Sequence, residues 1–373
     1  MVIFHLIVGL EVSGAELMLF RLVSALPKHK NIIISLTSIG PVGNRLIDAG
    51  QTVHTLDLRL LTFCHSLYKL WRLIRVYRPD VIQTWMYHSD LLGGILGRLA
   101  GVRNIVWNVR NTEIPQGAWS LTGIVVRLCA VSSHFIPRVI VCCAYAGLER
   151  HASLGYCRDR MVVIPNGYET QNLQEVLQSK FSVRAMYGIS QTAFVVGIVG
   201  RFDRLKGIDV FIETAGLMVD RCPSELLFIM SGRSLDEKNT TLSALIQNKG
   251  RQAQFKLMGE QKNVAEIMVT LDVLCMASRS EGFPNVVAEA MLMQIPCVVT
   301  DVGDARIIVG QTGRVVLPSK PDVLADALLE IESMNEIQRR QMGHDARKRI
   351  VMNYDIKIIS QSYAEIYDWK DKE

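Results

Sequence analysis

Short apolar segments alternate with helical patterns along the chain, and this alternation constrains the fold more than any other feature. Candidate strands recur up to Met161–Ile164, and the alternation starts again at Phe194–Gly200, after a turn signal at Pro165-Asn166-Gly167. Strands separated by helices form parallel sheets with helices on both faces. The sequence therefore predicts an α/β protein with two doubly wound, Rossmann-like domains. A polar helix over residues 171–187 is expected to connect them, and two further helices are expected over Asn263–Thr270 and about Ile356–Trp369. Ligands of such sheets bind beyond the carboxyl ends of the strands, so the predicted site is a cleft between the two domains.

The composition excludes several classes of protein. Hydrophobic residues make up 49% and charged residues 21% of the 373 residues, which is typical of globular domains and not of disordered chains. No uncharged apolar run reaches the length of a membrane span, and the N-terminal segment lacks the features of a signal peptide. The eight cysteines form no metal-binding pattern. We therefore expect reduced thiols in a cytoplasmic protein, and no metal site.

The loop GRFDRLKG, Gly200–Gly207, follows a predicted strand and opens a predicted helix. Arg201 and Lys206 would lie beside the free backbone N–H groups of the helix start. That combination suits a phosphate or a diphosphate. The loop has no Walker pattern, so a basic loop on a solvated face remains an alternative.

The segment SEGFPNVVAEA, residues 280–290, holds two glutamates on either side of a tight turn. Pro284 and Asn285 favour a helix start, where unpaired amides can hold an anion. Glu289, one turn inside the helix, can accept two hydrogen bonds from a diol. Glu281 can point from the end of its strand into the cleft. In the alternative interpretation, Glu289 is a surface residue and Glu281 caps the helix.

Together these segments resemble the retaining glycosyltransferases of family 4, which have the GT-B fold. The resemblance is strongest over residues 194–316, in GRFDRLKG, LMGEQKNVAEIM and the segment from SRSEGFPNVVAEA to IIVG. It extends to SGAE near the start, to WMYHSDLLGGILGRLAGV and to GYCRDRMVVIPNG. It implies an N-terminal acceptor-binding domain over residues 1–168, onto which residues 354–373 cross back. It also implies a C-terminal nucleotide-sugar-binding domain over residues 169–353.

The resemblance also implies a reaction and a set of binding residues. A UDP- or GDP-sugar would donate its sugar to an acceptor hydroxyl, without a metal or another cofactor. Arg201 and Lys206 would neutralise the diphosphate, Glu289 would hold the ribose, and Glu281 would contact the sugar. The other implied ligand contacts are Gly14 at the phosphates, Gly259, Asn263 and Val264 at the base, and Gly282, Phe283, Pro284 and Asn285 at the sugar and distal phosphate.

One position departs from the family. Its members usually carry a histidine at the end of the strand that corresponds to residues 104–109, near the sugar. This chain has Arg110 and Asn111 there. Arg110 can supply charge in place of the histidine, but it can also be a cation on a surface loop. His88 is a second candidate for the cleft, against the alternative of a core or capping histidine. A loss of activity also remains open.

The first half of the chain is basic: residues 1–165 hold 17 Lys and Arg against 9 Asp and Glu, a balance of +8. An anionic partner and chance drift of surface charge both explain this balance. The apolar stripe of Leu67, Leu70, Trp71 and Ile74 is flanked by cations, as in helices that rest on anionic membranes. Ordinary packing of the stripe on the sheet is the favoured alternative.

These features favour a transferase that acts in the synthesis of a surface polysaccharide. We expect a glycan or lipid-linked acceptor, a location in the cytoplasm or on the inner face of the plasma membrane, and no nucleic-acid partner. A nucleotide-sugar epimerase on the same fold and a catalytically weak nucleotide-sugar-binding subunit remain alternatives. A dinucleotide-dependent dehydrogenase is disfavoured, because neither half has a Gly-x-Gly-x-x-Gly motif followed by an acidic residue.

Overall fold

The computed structural model describes residues 1–112, 120–171 and 179–368. The chain divides into two compact units. The first comprises Met1–Glu169 together with Tyr354–Glu373, and the second comprises Thr170–Asn353.

The first unit is built on a parallel sheet of seven strands in the order β3-β2-β1-β4-β5-β6-β7. In chain order the strands are β1 Val2–Ile7, β2 Lys30–Ser35, β3 Thr52–Thr55, β4 Val81–Trp85, β5 Asn104–Val109, β6 Val139–Cys142 and β7 Met161–Val163. The strand order reverses between β1 and β4, so the loops after these two strands diverge and leave space for a ligand.

Helices cover both faces of this sheet. They are α1 Gly14–Ala25, α2 Gly40–Asp48, α3 Phe63–Tyr77, α4 Tyr87–Leu99, α5 Leu121–Ser132, α6 Tyr145–Ser153 and a C-terminal helix Ile356–Tyr367. Phe4 and Leu6 point from β1 into the core under α3, α4 and α5. Ile3 and Ile7, which alternate with them, pack under α1, α2 and the C-terminal helix. The two-residue period of β1 therefore explains why both faces are covered.

The C-terminal helix is fastened to the first unit through polar contacts beneath its apolar face. Its Tyr363 and Tyr367 are fully buried. The side-chain amide of Asn108 donates a hydrogen bond to the Tyr363 hydroxyl over 3.0 Å. The amide of Asn104 donates to the backbone carbonyl of Tyr367, also over 3.0 Å. Buried hydrogen bonds of this kind fix the position of the helix along the sheet, because a shift would leave the groups unpaired.

The second unit is built on a parallel sheet of six strands in the order β10-β9-β8-β11-β12-β13. The strands are β8 Phe194–Val199, β9 Leu226–Ser231, β10 Phe255–Gly259, β11 Val273–Met276, β12 Cys297–Thr300 and β13 Arg314–Val316. The helices of this unit are α7 Lys180–Met186, α8 Ile208–Arg221, α9 Thr240–Gln247, α10 Val264–Val269, α11 Asn285–Leu292, α12 Ala305–Val309, α13 Pro321–Ser333 and α14 Glu336–Tyr354. The C-terminal helix of the first unit is α15.

The two parallel sheets confirm the predicted α/β class and the doubly wound architecture. Some elements differ from the predictions. The polar helix expected over residues 171–187 begins only at Lys180 in the described part of the chain, and residues 172–178 lie outside it. This helix ends at Met186, before Gly188, which takes a left-handed φ of 61°. The last helix ends at Tyr367 instead of Trp369. Strand β13 and helices α9 and α12 were not predicted, because each is too short to show a clear period.

Candidate active site

The loop between β8 and α8 brings two of the predicted cations to the carboxyl end of the sheet. Asp203 caps a short 3₁₀ turn by accepting a hydrogen bond from the Leu205 amide over 2.8 Å. Its second oxygen accepts from the Arg201 guanidinium over 3.0 Å. These hydrogen bonds, with the Leu205 amide contributing most, lower the pKa of Asp203. Arg201 stays more than half exposed. The carboxylate therefore orders the loop while Arg201 remains open to solvent.

Gly207, the last residue of this loop, occupies a position that only glycine can fill. It takes a φ of 64°, in the left-handed region. A Cβ atom at this position would lie 2.0 Å from the carbonyl oxygen of Ala277. Only glycine fits both conditions, so the loop after β8 lies against the end of β11.

Lys206 and Glu281 meet at the carboxyl ends of two neighbouring strands, β8 and β11. The Lys206 ammonium donates to a Glu281 carboxylate oxygen over 2.6 Å. The hydroxyl of Ser278 donates to the same oxygen, also over 2.6 Å. Only 24% of the Lys206 side chain and 11% of the Glu281 side chain are exposed. The structure thus brings together two residues, 75 positions apart, that the sequence predicted for one site.

A second charge pair fastens the same two loops, and the sequence did not predict it. The guanidinium of Arg279 binds both carboxylate oxygens of Asp209, each over 2.7 Å. The Arg279 amide donates to the Leu205 carbonyl over 2.7 Å, and its side chain donates to the Arg204 carbonyl over 2.9 Å. The hydrogen bonds from Arg279 lower the pKa of Asp209. Nothing in a lone Ser-Arg-Ser signals this pair, since Asp209 is 70 residues away.

The predicted helix start after the glycine turn is present. Helix α11 begins at Asn285, and Pro284 occupies the capping position. Phe283 and Pro284 are buried, whereas Gly282 and Asn285 are half-buried. Glu289 lies in the second turn of α11 and is half-buried. Its side chain is therefore partly shielded from solvent, and its role as a ribose ligand stays a prediction.

A neighbouring glycine lets the turn close. Gly303, after β12, has a φ of 57°, and a Cβ atom there would lie 2.5 Å from the carbonyl oxygen of Gly282. The amide of Asp304 donates to that same carbonyl over 2.9 Å. The turn is therefore supported from behind by the β12 loop, which holds the start of α11 in place.

The residues predicted to frame a base follow β10. Gly259 ends β10 with a φ of 64°, and its amide donates to the Leu235 carbonyl over 2.9 Å. Helix α10 begins at Val264, one residue later than predicted. Asn263 precedes it, is exposed, and donates to the Glu266 carboxylate over 2.8 Å. Val264 itself is half-buried.

In the first unit, two of the predicted residues open helices. Gly14 is the first residue of α1 and is exposed. His88 is the second residue of α4 and is half-buried, and burial lowers its pKa. The residue that caps α4, Met86, takes a φ of 72°, which is unfavourable for a side chain with a Cβ atom. Its amide is held by the Asn108 carbonyl over 3.0 Å. Strained positions of this kind cluster at functional sites.

Arg110 and Asn111 follow β5, where the sequence predicted a substitute for the family histidine. Both residues are half-buried. The Arg110 guanidinium donates to the side-chain oxygen of Asn108 over 3.2 Å and stacks on Trp85 at 5.3 Å from the ring centre. One of its terminal nitrogens is buried and has no hydrogen-bond partner among the described residues. Arg110 is therefore not the solvated surface cation of the alternative interpretation.

Next to these residues, Asp90 is fully buried near the start of α4. The Thr84 hydroxyl donates to one carboxylate oxygen over 2.6 Å. The second oxygen has no hydrogen-bond partner among the described residues. Burial raises the pKa of Asp90 to about 7.

The described residues contain no group of three or more His, Cys, Asp or Glu side chains arranged to hold a metal ion. None of their helices combines the length and the apolar character that crossing a membrane requires.

Comparison with known proteins identifies the family. The model of the Glycosyltransferase Family 4 domain matches residues 12–172, and the model of the group 1 glycosyl transferases matches residues 193–333. The chain belongs to glycosyltransferase family 4. The predicted family is thus confirmed, and the two models fall on the two units.

Solved structures show that this family 4 chain has the GT-B fold. The crystal structure of Alr3699/HepE from Anabaena in complex with UDP superposes with a TM-score of 0.83, at 20% identity over 98% of this chain and 99% of that one. A glycosyltransferase from Rickettsia africae superposes with a TM-score of 0.80, at 16% identity over 98% and 97% of the two chains.

Curated relatives of this glycosyltransferase include two bacterial enzymes. An Escherichia coli UDP-Gal:alpha-D-GlcNAc-diphosphoundecaprenol alpha-1,3-galactosyltransferase is 22% identical over 92% of this chain and 90% of its own length. The N-acetyl-alpha-D-glucosaminyl L-malate synthase of Bacillus anthracis is 26% identical, but the match spans only 48% of this chain and 47% of that enzyme. The chain therefore spans about half of one relative and nine-tenths of the other.

Proposed function

We propose that this family 4 glycosyltransferase moves a sugar from a UDP- or GDP-sugar to an acceptor hydroxyl, with retention of configuration. The observation that carries the proposal is the contact between Lys206 and Glu281 at the carboxyl ends of β8 and β11. Ligands of parallel sheets bind at these ends. A cation held there by a carboxylate suits a diphosphate next to a sugar.

The chemistry follows from where charge develops. When the glycosidic bond to the diphosphate breaks, negative charge accumulates on the leaving phosphate. Lys206, supported by the exposed Arg201, stabilises that charge more in the transition state than before it. Glu281 then turns its oxygens to the sugar hydroxyls, and Glu289 accepts hydrogen bonds from the ribose diol. Gly282, Phe283, Pro284 and Asn285 offer backbone groups near the start of α11, and Gly259, Asn263 and Val264 border the base.

In the first unit, Arg110 is proposed to replace the family histidine. One of its terminal nitrogens, which is buried and has no hydrogen-bond partner among the described residues, is proposed to donate to a ligand oxygen. Retaining transfer without a covalent intermediate requires positioning and charge stabilisation more than a base, so a guanidinium serves this purpose. Asn111, His88 and Gly14 are proposed to complete the contacts of this unit, with His88 neutral at pH 7 because burial lowers its pKa.

The proposed acceptor is a glycan or a lipid-linked sugar in the synthesis of a surface polysaccharide. The E. coli relative, which matches over most of both chains, is a galactosyltransferase that acts on a diphosphoundecaprenol-linked sugar. A location on the inner face of the plasma membrane would bring the enzyme to such an acceptor. We propose that the reaction uses neither a metal ion nor another cofactor.

A panel of UDP-, GDP-, ADP- and dTDP-sugars, followed for nucleotide release with and without glycan acceptors, tests the proposal. We expect release from UDP- or GDP-sugars that rises when the right acceptor is present, and a product with the anomeric configuration of the donor. The same rate in the presence of EDTA is expected for a reaction without metal.

The same assay separates the alternatives. An epimerase would convert the donor sugar without releasing nucleotide or needing an acceptor. A binding subunit would raise its melting temperature with a nucleotide sugar, because the ligand binds the native state, but would show no turnover. Either result would contradict the proposal, as would an inverted product.

A further inference from the structure

Helices α3, α4 and α5 form one layer over a single face of the first sheet. Leu70 and Ile74 of α3, Tyr87 of α4, and Val126 of α5 all belong to the same buried core. Helix α4 contacts both α3 and α5, so it lies in the middle of the layer. We call α3, α4, α5 and the turn before α3 the helix layer.

The outer surface of the helix layer exposes large apolar side chains. Leu60 and Leu61, in the turn before α3, are 94% and 98% exposed. Along α5 the exposed apolar residues recur every three or four positions, which places them on one side of the helix. The exposed apolar residues of the layer are Leu60, Leu61, Phe63, Tyr68, Trp71 and Val76 around α3, Ile95 and Leu99 on α4, Leu121, Ile124, Leu128 and Val131 along α5, and Phe135 in the turn after α5.

This surface has no counterpart elsewhere in the described chain. Single exposed apolar residues are common on protein surfaces, but a contiguous set indicates an interaction site. Nearly half of the exposed large apolar residues of the described chain lie on this one layer, and the entire second unit contributes fewer. The outer surface of the helix layer is therefore a candidate interaction site.

The helix layer carries cations but no exposed carboxylate among its described residues. Over residues 58–79, 81–112 and 120–148, the only acidic residue is Asp90, which is fully buried. The exposed cations include Arg72 on α3 and Arg127 on α5. Asp57 and Asp80 flank α3, and each is bonded, to Arg59 and to the Val2 amide respectively. An apolar surface with cations and no anions is complementary to an anionic bilayer.

Aromatic rings and arginines are combined on α3. The rings of Tyr68 and Trp71 stack at 6.3 Å, and the Arg75 guanidinium lies 5.8 Å from the Trp71 ring centre. Tyrosine and tryptophan are enriched at the level of lipid headgroups, because their rings have an apolar body and a polar edge. Where α3 and α4 end, Arg75, Arg78 and Arg103 line an open cavity of about 570 Å³, together with Asp80, whose carboxylate accepts a hydrogen bond from the Val2 amide. This end of the layer is therefore suited to the phosphates of lipid headgroups.

We propose that the helix layer is a docking surface for an anionic lipid bilayer. Leu60 and Leu61 enter the boundary between headgroups and acyl chains, Tyr68 and Trp71 lie at headgroup depth, and the arginines contact lipid phosphates. A second copy of the chain fits less well, because two such surfaces would oppose cations with no carboxylate to compensate them. The mode of binding is peripheral, through helices that lie along the membrane surface.

The docking surface rests on the proposed function for its biological role, because a docked enzyme would receive a lipid-linked acceptor at the membrane. The structural argument for the layer uses none of the residues proposed for catalysis. Lipid binding and sugar transfer can therefore fail separately, and an assay of each tells the two failures apart.

Flotation with vesicles of phosphatidylglycerol mixed with phosphatidylcholine tests the docking surface, with phosphatidylcholine alone as the neutral comparison. We expect the intact chain to bind the anionic vesicles at low salt and to dissociate as salt screens the charges. The double variant Leu61→Asp with Leu128→Asp should bind at least about tenfold less, because it removes apolar anchors and adds like charge to the lipid. The variant Arg72→Glu with Arg127→Glu should show a loss of similar size.

Ile337→Asp with Phe181→Asp is the matched control, since both residues are exposed apolar residues of the second unit. It should bind like the unchanged protein. All variants should release nucleotide from the donor at the normal rate when a soluble glycan acceptor is used. The inference is overturned by absence of binding to anionic vesicles at low salt, or by an equal loss in the control. It is also overturned if light scattering shows a dimer that the double variant Leu61→Asp with Leu128→Asp dissociates.

Normal sugar transfer combined with absent vesicle binding would contradict the docking surface alone and leave the proposed function intact.

Discussion

The carboxyl ends of the two sheets hold their polar side chains in different ways. In the second unit, charged side chains from separate loops bind each other, as Lys206 binds Glu281 and Arg279 binds Asp209. In the first unit, Arg110 contacts the neutral amide of Asn108 and the ring of Trp85. Paired charges fix the geometry of a site before a ligand arrives, whereas a cation among neutral partners keeps its charge for the ligand. Under the proposed function, the second unit presents a preorganised donor site and the first unit an adaptable one.

The largest effect is expected from Lys206→Ala. Removing a cation that stabilises the leaving diphosphate should lower kcat by about 100- to 1000-fold, as for other groups that stabilise a transition-state charge. Glu281→Ala should also lose most of the turnover. The measurement is the steady-state rate of nucleotide release, with thermal unfolding to show that the variants fold.

Arg204→Ala is the matched control for Lys206→Ala, because Arg204 is an exposed cation of the same loop. Its kcat should stay within about threefold of the original, as expected for a surface substitution. Near-normal turnover in Lys206→Ala, or an equal loss in Arg204→Ala, would contradict the proposed role of Lys206 in stabilising the leaving diphosphate.

Arg110→Ala should have the next largest effect. Loss of one charged hydrogen bond to a ligand should lower kcat roughly 10- to 100-fold. Arg110→Lys should lose less, because it keeps the charge while losing the planar geometry. The exposed Arg150 supplies the control in Arg150→Ala. If Arg110→Ala matches the control in kcat and in KM, the first unit contributes no charge to the reaction.

A smaller effect is expected at the pair that positions Lys206. Arg279 contacts the loop of Lys206 at the carbonyls of Leu205 and Arg204, and it contacts the first turn of α8 at Asp209. Arg279→Ala should therefore lower kcat by about tenfold, within the range of coupling energies for contacting residues. A double-mutant cycle with Asp209→Asn should show non-additive losses in kcat. Additive losses would mean that the two residues act independently and do not position Lys206 together.

The smallest effect concerns the buried Asp90 of the first unit. Its folded-state pKa of about 7 lies above the ordinary value of 3.8, so its protonated form stabilises the fold. That contribution is complete below about pH 4 and is lost as the pH rises through about 7, at up to about 1.4 kcal/mol per pH unit. Relative to Asp90→Asn, the original protein should therefore lose stability over this range.

Unfolding in urea, followed by tryptophan fluorescence, measures this difference. All five tryptophans belong to the first unit, so the signal reports its unfolding. His5, whose pKa burial lowers to about 4, acts in the opposite direction, but it is present in both proteins and cancels in the comparison. A difference in unfolding free energy that stays constant with pH would contradict the assignment for Asp90.

The contrast between the two regions also shows what a sequence reveals. All strands except β13, and the loop after β8, follow from apolar periods and from glycine, proline and charge at element ends, which are local signals. Lys206 and Glu281 each follow a predicted strand, and the resemblance of their two motifs to the family placed them in one site. The pair of Arg279 and Asp209 was not, because it depends on which strands are neighbours. The left-handed backbone of Met86 was not predicted either, since it results from tertiary contacts that override local preference.

The exposed surface of α5 was missed for a related reason. Apolar residues on α5 recur at helical spacing on the side that faces the sheet and also on the side that faces solvent. This spacing is typical of a helix, but it does not show which of the two sides is buried. For the stripe on α3, the structure divides the residues. Leu70 and Ile74 are buried on the sheet, while Trp71 is 39% exposed. The favoured alternative, ordinary packing, is thus correct for two of the four residues, and Trp71 belongs to the outer surface.

The most direct test of the central claim is a calorimetric comparison of nucleotide and nucleoside binding, with UDP against uridine and GDP against guanosine. If Lys206 binds the diphosphate, Lys206→Ala should weaken the preferred nucleotide at least about tenfold, as expected for the loss of a charged hydrogen bond. It should leave the affinity for the nucleoside unchanged. Equal affinity of the original protein and Lys206→Ala for the nucleotide would contradict the account.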